Sequence, residues 1–256
     1  MTERPGQGPA PANAIQAPGT DESDWRAWDG WDGLPDVRLP TEGRVVVVAA
    51  HPDDEVLGVG GLISLLTESG VAVTVVSVTD GERSHPGSEL VTPAELAGVR
   101  AMELREALAE LGAPGAEVIR LKVPDTEVAR HEEDVATALA ALLPGAALCL
   151  APWIGDVHGD HEAAGRAALA AARTASVPCL MYPVWMWHWA RPDDPRVPWA
   201  AASRIRLPEA TAARKRAAVG RFTSQTEALG PAPEDAAVLP PEEIAHHLRA
   251  VEVVFE

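Results

Sequence analysis

The sequence is short of several things. It has two cysteines, one tyrosine and two phenylalanines in 256 residues. Two cysteines cannot build a disulfide framework for a chain of this length. Cys149 and Cys179 both sit in apolar runs, "ALCLAP" and "PCLMYP", where a free thiol behaves as a small buried hydrophobe. Basic residues are scarce too: 21 against 38 acidic ones, for a net charge of −17. Nucleic acid and anionic membrane both call for basic surface, so neither is expected as a partner. No apolar run is long enough to span a bilayer, and the first 20 residues lack the apolar core of a secretory signal. A cytoplasmic location is the expectation, and nothing in the sequence indicates an oligomeric state. What the chain does have is a hydrophobic content of 46%, enough for a sizeable core, together with eight tryptophans and eight histidines.

Composition divides the chain. Residues 1–20 are rich in Pro, Ala, Gly and Gln and are read as a disordered tail. Residues 21–43 form a Trp-rich arm in which Trp25, Trp28 and Trp31 recur every third position, one face of a short helix. That face is expected to pack the arm onto the body, with a substrate platform as the alternative. Residues 44–256 read as a single domain. There "RVVVVAA", "VAVTVVSVTDGE", "AEVIRL", "ALCLAP" and "VPCLMYPVW" are strand-like and alternate with helical stretches. "TPAELAGVRAMELREALAELG" is the best-marked helix, with Thr92 as N-cap, Pro93 at the first position and Glu95 closing a capping box. Strands alternating with helices predict an α/β fold: a Rossmann-like, mostly parallel sheet with helices on both faces. A C-terminal extension holds "SRIRL", a helix over "PEATAARKRAAVGRF", a Pro-rich segment, a short helix and a last strand.

The first strand ends in "HPDDE", residues 51–55. In an open parallel sheet, ligands bind beyond the carboxyl ends of the strands, so these charges line a cleft and need not enter the core. The fourth strand ends in "APWIGDVHGDHE", which places His158 and His161 three apart at a helix entry. The two strand ends together supply His51, Asp54 and His161, with Asp53 and His158 left over. Two imidazoles and one carboxylate form a donor set for a catalytic zinc ion with open positions, and iron(II) fits the same donors. Asp53 is then available as general base, and His158 to stabilise an oxyanion or protonate a leaving group. Each motif has a blander reading alone: helix N-terminal acids complementing the dipole, or surface histidines. "GVGG" misses the dinucleotide pattern because Ile63 stands where the last glycine belongs, and three acids precede it.

"AHPDDEVLGVGG" followed by "HGDH" resembles the PIG-L/LmbE family of zinc-dependent N-deacetylases, over roughly residues 44–225. The resemblance implies zinc on His51, Asp54 and His161, Asp53 as base and His158 as transition-state stabiliser. It also implies removal of an N-acetyl group from an N-acetylglucosamine-type amino sugar, a small-molecule substrate. Weaker family-like stretches are "TDGE", the helix carrying Arg100 and Glu103, "VPD" ending at Asp125, and "KRAAVGRFTSQ" from Lys215. In the last, Phe222 stands where many members carry His, so a polar role there is not carried over.

Substrate contacts are read from loops. "MYPVWMWHWARPDDPRVPW", after the fifth strand, offers Trp185, Trp187 and His188 as a wall for a sugar or an aglycone. The alternative is an apolar loop over the core or at a subunit interface. Arg100 is read as a substrate contact or a solvated helix charge, Asp125 as a sugar-contacting acid. The Gly- and Ser-rich loop 81–91 reads as a lid with His85 as a contact. Two other functions compete: a metal-dependent amidase for a larger acyl group or a thiol-sugar conjugate, and an inactive ligand-binding α/β module. The intact Asp53 argues against the latter, since a binding module needs no base.

Overall fold

A computed structural model describes residues 14–256. Seven strands form one sheet: β1 (Arg44–Ala49), β2 (Ala72–Thr79), β3 (Glu117–Val123), β4 (Leu148–Pro152), β5 (Cys179–Tyr182), β6 (Ala202–Arg206) and β7 (Val251–Phe255). Their order is β3-β2-β1-β4-β5-β7-β6. The first five run parallel, and β7 is antiparallel to both β5 and β6. Val45 to Ala49 are fully buried, as an apolar strand covered on both faces must be.

The helices are α1 (Glu22–Ala27), α2 (Asp54–Glu68), α3 (Pro93–Glu110), α4 (Glu132–Leu142), α5 (Gly159–Ala175), α6 (Met186–Trp189), α7 (Glu209–Val219), α8 (Thr223–Thr226) and α9 (Pro241–His247). Helices α2, α3 and α7 bury Leu62, Ile63, Leu104, Leu108 and Val219 against one face of the sheet. Helices α4 and α5 cover the other with Val135, Leu139 and a run of alanines. The start of α3 is set as its sequence requires: Glu95 N donates to Thr92 Oγ1 at 3.3 Å, and Thr92 N donates to the Glu95 carboxylate at 2.9 Å.

Chain order reverses between β1 and β4, because β2 and β3 lie to one side and β5 to the other. The loops leaving β1 and β4 therefore diverge and open a crevice at the topological switch point. Both charged motifs stand there.

The tryptophans build a separate apolar cluster. Trp25 is fully buried, its ring 5.1 Å from that of Trp187, and its Nε1 donates to Trp187 O at 2.8 Å. Arg249 lies over Trp187 at 4.3 Å and pairs with Glu22 at 2.8 Å, which ties α1 to the C-terminal extension. Most of the stretch assigned to a disordered tail lies outside the described residues. Its last part does not: Thr20 N donates to His188 O at 2.8 Å, Thr20 Oγ1 donates to Ala190 O at 2.6 Å, and Ala14 is buried.

Candidate metal centre

His51 follows β1 and Asp54 begins α2, so one tight turn sets both. His51 N donates to Asp54 Oδ2 at 2.8 Å, which holds the carboxylate back toward the histidine. His161 comes from the first turn of α5, beyond β4. The three donors converge. His51 Nδ1 is 3.5 Å from Asp54 Oδ2, His161 Nε2 is 3.2 Å from Asp54 Oδ1, and His161 Nε2 is 3.3 Å from His51 Nδ1. Tetrahedral donors about 2.0–2.1 Å from a zinc ion lie about 3.3 Å from one another. The spacing fits such an ion.

The far nitrogens fit as well. His51 Nε2 faces Asp125 Oδ1 at 3.2 Å and Asp160 Oδ2 at 3.3 Å. His161 Nδ1 faces Asp156 Oδ2 at 2.7 Å. Each imidazole thus has one nitrogen against a carboxylate and the other turned to the common point, the arrangement that fixes tautomer and ring orientation in metal sites. Four buried aspartates around two imidazoles need compensating positive charge, which protonated imidazoles or a bound cation can supply.

Sequence reasoning passed over the two supporting aspartates, Asp156 and Asp160. Asp156 accepts from the backbone N–H groups of Val184, Trp185 and Met186 at 2.9–3.0 Å, so it aligns His161 and starts α6 at once. Asp160 accepts from Thr126 N at 2.7 Å and Val128 N at 3.1 Å. Both lie inside the quoted "GDVHGDHE"; the missing signal was which histidine nitrogen each would face.

Asp53 sits between the two ligating positions of the turn, at φ 151°, a conformation an L residue holds only under constraint. Arg100 supplies that constraint. Its guanidinium, 3% exposed, reaches Asp53 Oδ2 at 3.0 Å, Pro52 O at 2.9 Å and Gly81 O at 3.0 Å. Burial pushes the Asp53 carboxyl up to about 6, against the pull of Arg100. Asp54 is held well below the usual carboxylate range despite its burial, by His161 and His51. His158 stands on the opposite wall, its ring centroid 4.4 Å from that of His161 and 5.0 Å from that of His51. Burial and the two neighbouring imidazoles hold it down to about 3, and its buried Nδ1 has no partner among the described residues. His158 also approaches His51 and His161 closely enough to complete an all-histidine donor group.

The nine residues His51, Asp53, Asp54, Arg100, Asp125, His158, His161, Trp185 and His188 line one cleft of 1290 Å³. Two expected contacts do not. Trp187 turns into the tryptophan cluster, 5% exposed, because two residues of helical turn carry it roughly to the opposite side from Trp185, which precedes α6. His85 is 6% exposed and bonded through Nε2 to Ala236 O at 3.2 Å, behind the cleft wall. The loop read as a lid is pinned at the same place, with Ser88 Oγ donating to Asp235 Oδ1 at 2.6 Å. Three others have narrower places than expected. Arg100 is occupied with Asp53, Asp125 with His51, and His188 with Glu243 at 2.7 Å. Phe222 is 1% exposed in the apolar core, as its departure from the family pattern implied.

A mostly parallel α/β sheet with a buried histidine–carboxylate cluster at its switch point defines the class. The family described as "PIG-L: GlcNAc-PI de-N-acetylase" matches residues 46–172. A 1D-myo-inositol 2-acetamido-2-deoxy-alpha-D-glucopyranoside deacetylase of Tsukamurella paurometabola is 31% identical over 229 residues, 76% of this chain and 75% of that one. A diacetylchitobiose deacetylase of Thermococcus kodakarensis is 32% identical over 139 residues, 53% of this chain. The alignment spans 51% of that relative, about half its length. The solved structure of the A40926 pseudoaglycone deacetylase Dbv21 shares the fold, with a TM-score of 0.59 at 23% identity, over 83% of this chain and 96% of that one. The chain belongs to the PIG-L family.

Proposed function

We propose that the protein is a zinc-dependent hydrolase that removes the N-acetyl group from an N-acetylglucosamine-type glycoside. The observation that carries the reading is the 3.2–3.5 Å triangle of His51, Asp54 and His161 donors, with Asp53 held beside it by Arg100. His51, Asp54 and His161 would hold the zinc, which would supply a water acidified to a pKa of about 7 and a Lewis acid for the amide carbonyl. The rest is done by the chain. Asp53 takes a proton from the attacking water as its oxygen bonds to the carbonyl carbon. His158, a neutral imidazole on the opposite wall, donates a hydrogen bond to the developing oxyanion. Asp53 then passes its proton to the sugar nitrogen, the C–N bond breaks, and acetate and the free amino sugar leave.

The fixed geometry of Asp53 suits this double duty, because the acceptor of one step is the donor of the next. The relatives' names support the substrate class, since one is a diacetylchitobiose deacetylase and the other deacetylates a 2-acetamido-2-deoxy-glucopyranoside. Cys149 and Cys179 are free thiols at paired positions of β4 and β5. No helix among the described residues is long and apolar enough to cross a membrane.

The size of the cleft keeps one rival in play, an amidase for a larger acyl group. Glucosaminides N-acylated with acetyl, butyryl and octanoyl groups separate the two. The expected result is a kcat/KM for the acetyl compound at least about tenfold above that for octanoyl, since even one methylene is worth about 1–3 kcal/mol at a fitted pocket. A preference for octanoyl would replace the acetyl reading with the larger-amide one.

A further inference from the structure

The cleft is larger than one sugar needs. Its 1290 Å³ exceeds the roughly 300–1,000 Å³ of a pocket that encloses a drug-sized ligand. The metal triangle and its support line one side. The other side is built by residues 14–22 and by the segment around α9. This second wall is anchored. His188 Nε2 donates to Ala17 O at 2.9 Å, His188 Nδ1 meets Glu243 at 2.7 Å, and Glu22 joins His246 at 2.9 Å and Arg249 at 2.8 Å. Helix α6 links the two sides: Asp156, which holds His161, also caps the backbone that carries His188. The N-terminal arm therefore shares one cleft with the triangle, where an aglycone can reach it.

Acids outnumber cations on that wall. Asp21, Glu22, Glu242 and Glu243 line it, and no lysine lines any part of the cleft among the described residues. The cations that do line it are committed. Arg83 binds Glu127 at 2.8 Å and Asp125 O at 2.9 Å, Arg100 binds Asp53, His188 binds Glu243, and His246 binds Glu22. Asp21 and Glu242 are exposed and have no cationic partner among the described residues. Along the N-terminal arm and α9 an anionic aglycone would meet two carboxylates to repel it, while Arg83 lies on the Asp125 side of the cleft. An amine would find those carboxylates.

Resting on the deacetylase reading, we propose that the N-terminal arm and α9 form an aglycone subsite that favours an amine-bearing aglycone, tolerates a neutral polar one and rejects a carboxylate or phosphate.

The test uses three N-acetylglucosaminides with aglycone chains of one length, ending in an amine, a hydroxyl or a carboxylate. KM is measured by acetate release with the zinc-loaded full chain at low ionic strength. Binding of the same compounds to the Asp53→Asn variant is measured by calorimetry, which needs no turnover. The expected order is amine tightest and carboxylate weakest, with about tenfold or more between them, since exposed charges are only lightly screened at low salt. In the double variant Asp21→Asn, Glu242→Gln the spread falls to about twofold. Equal affinities, a preference for the carboxylate, or a spread that survives in the double variant overturns the proposal. The expected binding order without acetate release from any compound would overturn the deacetylase reading and leave the subsite standing. Acetate release without the order would do the reverse. No binding of any of the three overturns both.

Discussion

Asp53→Asn protein is expected to retain its zinc and lose acetate release by a factor of about 10²–10⁴, the contribution of a positioned general base. The substitution keeps the size of the side chain and its hydrogen-bonding reach but removes the lone pair that takes the proton. Metal content should not follow activity, because the donors converge through His51, Asp54 and His161, and the backbone that sets Asp54 runs from His51 N to Asp54 Oδ2. Arg100 would then face an amide in place of a carboxylate, yet its bonds to Pro52 O and Gly81 O still hold the turn. An Asn variant that keeps its zinc and more than about a tenth of the wild-type rate would remove Asp53 from the role of base.

The second large effect lies away from the cleft. Helix α2 is broken: Val59 has φ −137° and ψ 25°, so the backbone groups on either side lose their helical partners. A buried ion pair replaces them. Lys215 Nζ donates to Leu57 O at 2.8 Å, Gly61 N and Leu62 N donate to the Glu252 carboxylate at 2.6 and 2.8 Å, and the two side chains meet at 2.7 Å. Both are almost wholly buried. Lys215→Met leaves Glu252 charged without its partner, and a loss of about 3–5 kcal/mol is expected in urea unfolding. Glu252→Gln should cost at least as much, because it weakens both backbone contacts as well. Pairing Lys215→Met with Glu252→Leu removes the stranded charge but leaves two buried N–H groups unbonded, so stability should recover only in part. Full recovery in the double variant would show that the pair does not brace the break. Asp54 stands at the N-terminus of the same helix, so the brace also supports the metal centre.

That brace shows where legibility in the sequence ends. The alternation of apolar strands and helices, the capping box at Thr92 and the charged strand ends were readable because each depends on residues close in the chain. The break in α2 depends on Glu252, some 190 residues from Gly61. The "GVGG" run shows the same limit. A Cβ on Gly58 would stand 2.1 Å from the Tyr182 ring, and one on Gly61 would stand 2.4 Å from Leu207. These glycines serve close packing, which only the assembled fold reveals. Trp185 and Trp187 shared one aromatic run and one expectation, but α6 turns the first to the cleft and the second to the core. The insertion of β7 between β5 and β6 likewise leaves no local pattern.

The central claim is that His51, Asp54 and His161 hold the metal on which hydrolysis depends. It is tested most directly by following zinc content and acetate release from an N-acetylglucosaminide together, through chelation and stepwise return of zinc, in wild-type protein and in His161→Ala. The account predicts about one zinc per wild-type chain, activity that vanishes with the metal and returns in proportion to it, and a His161→Ala protein that neither holds zinc nor releases acetate. Acetate release that persists in metal-free protein, or full zinc occupancy in His161→Ala, would contradict it.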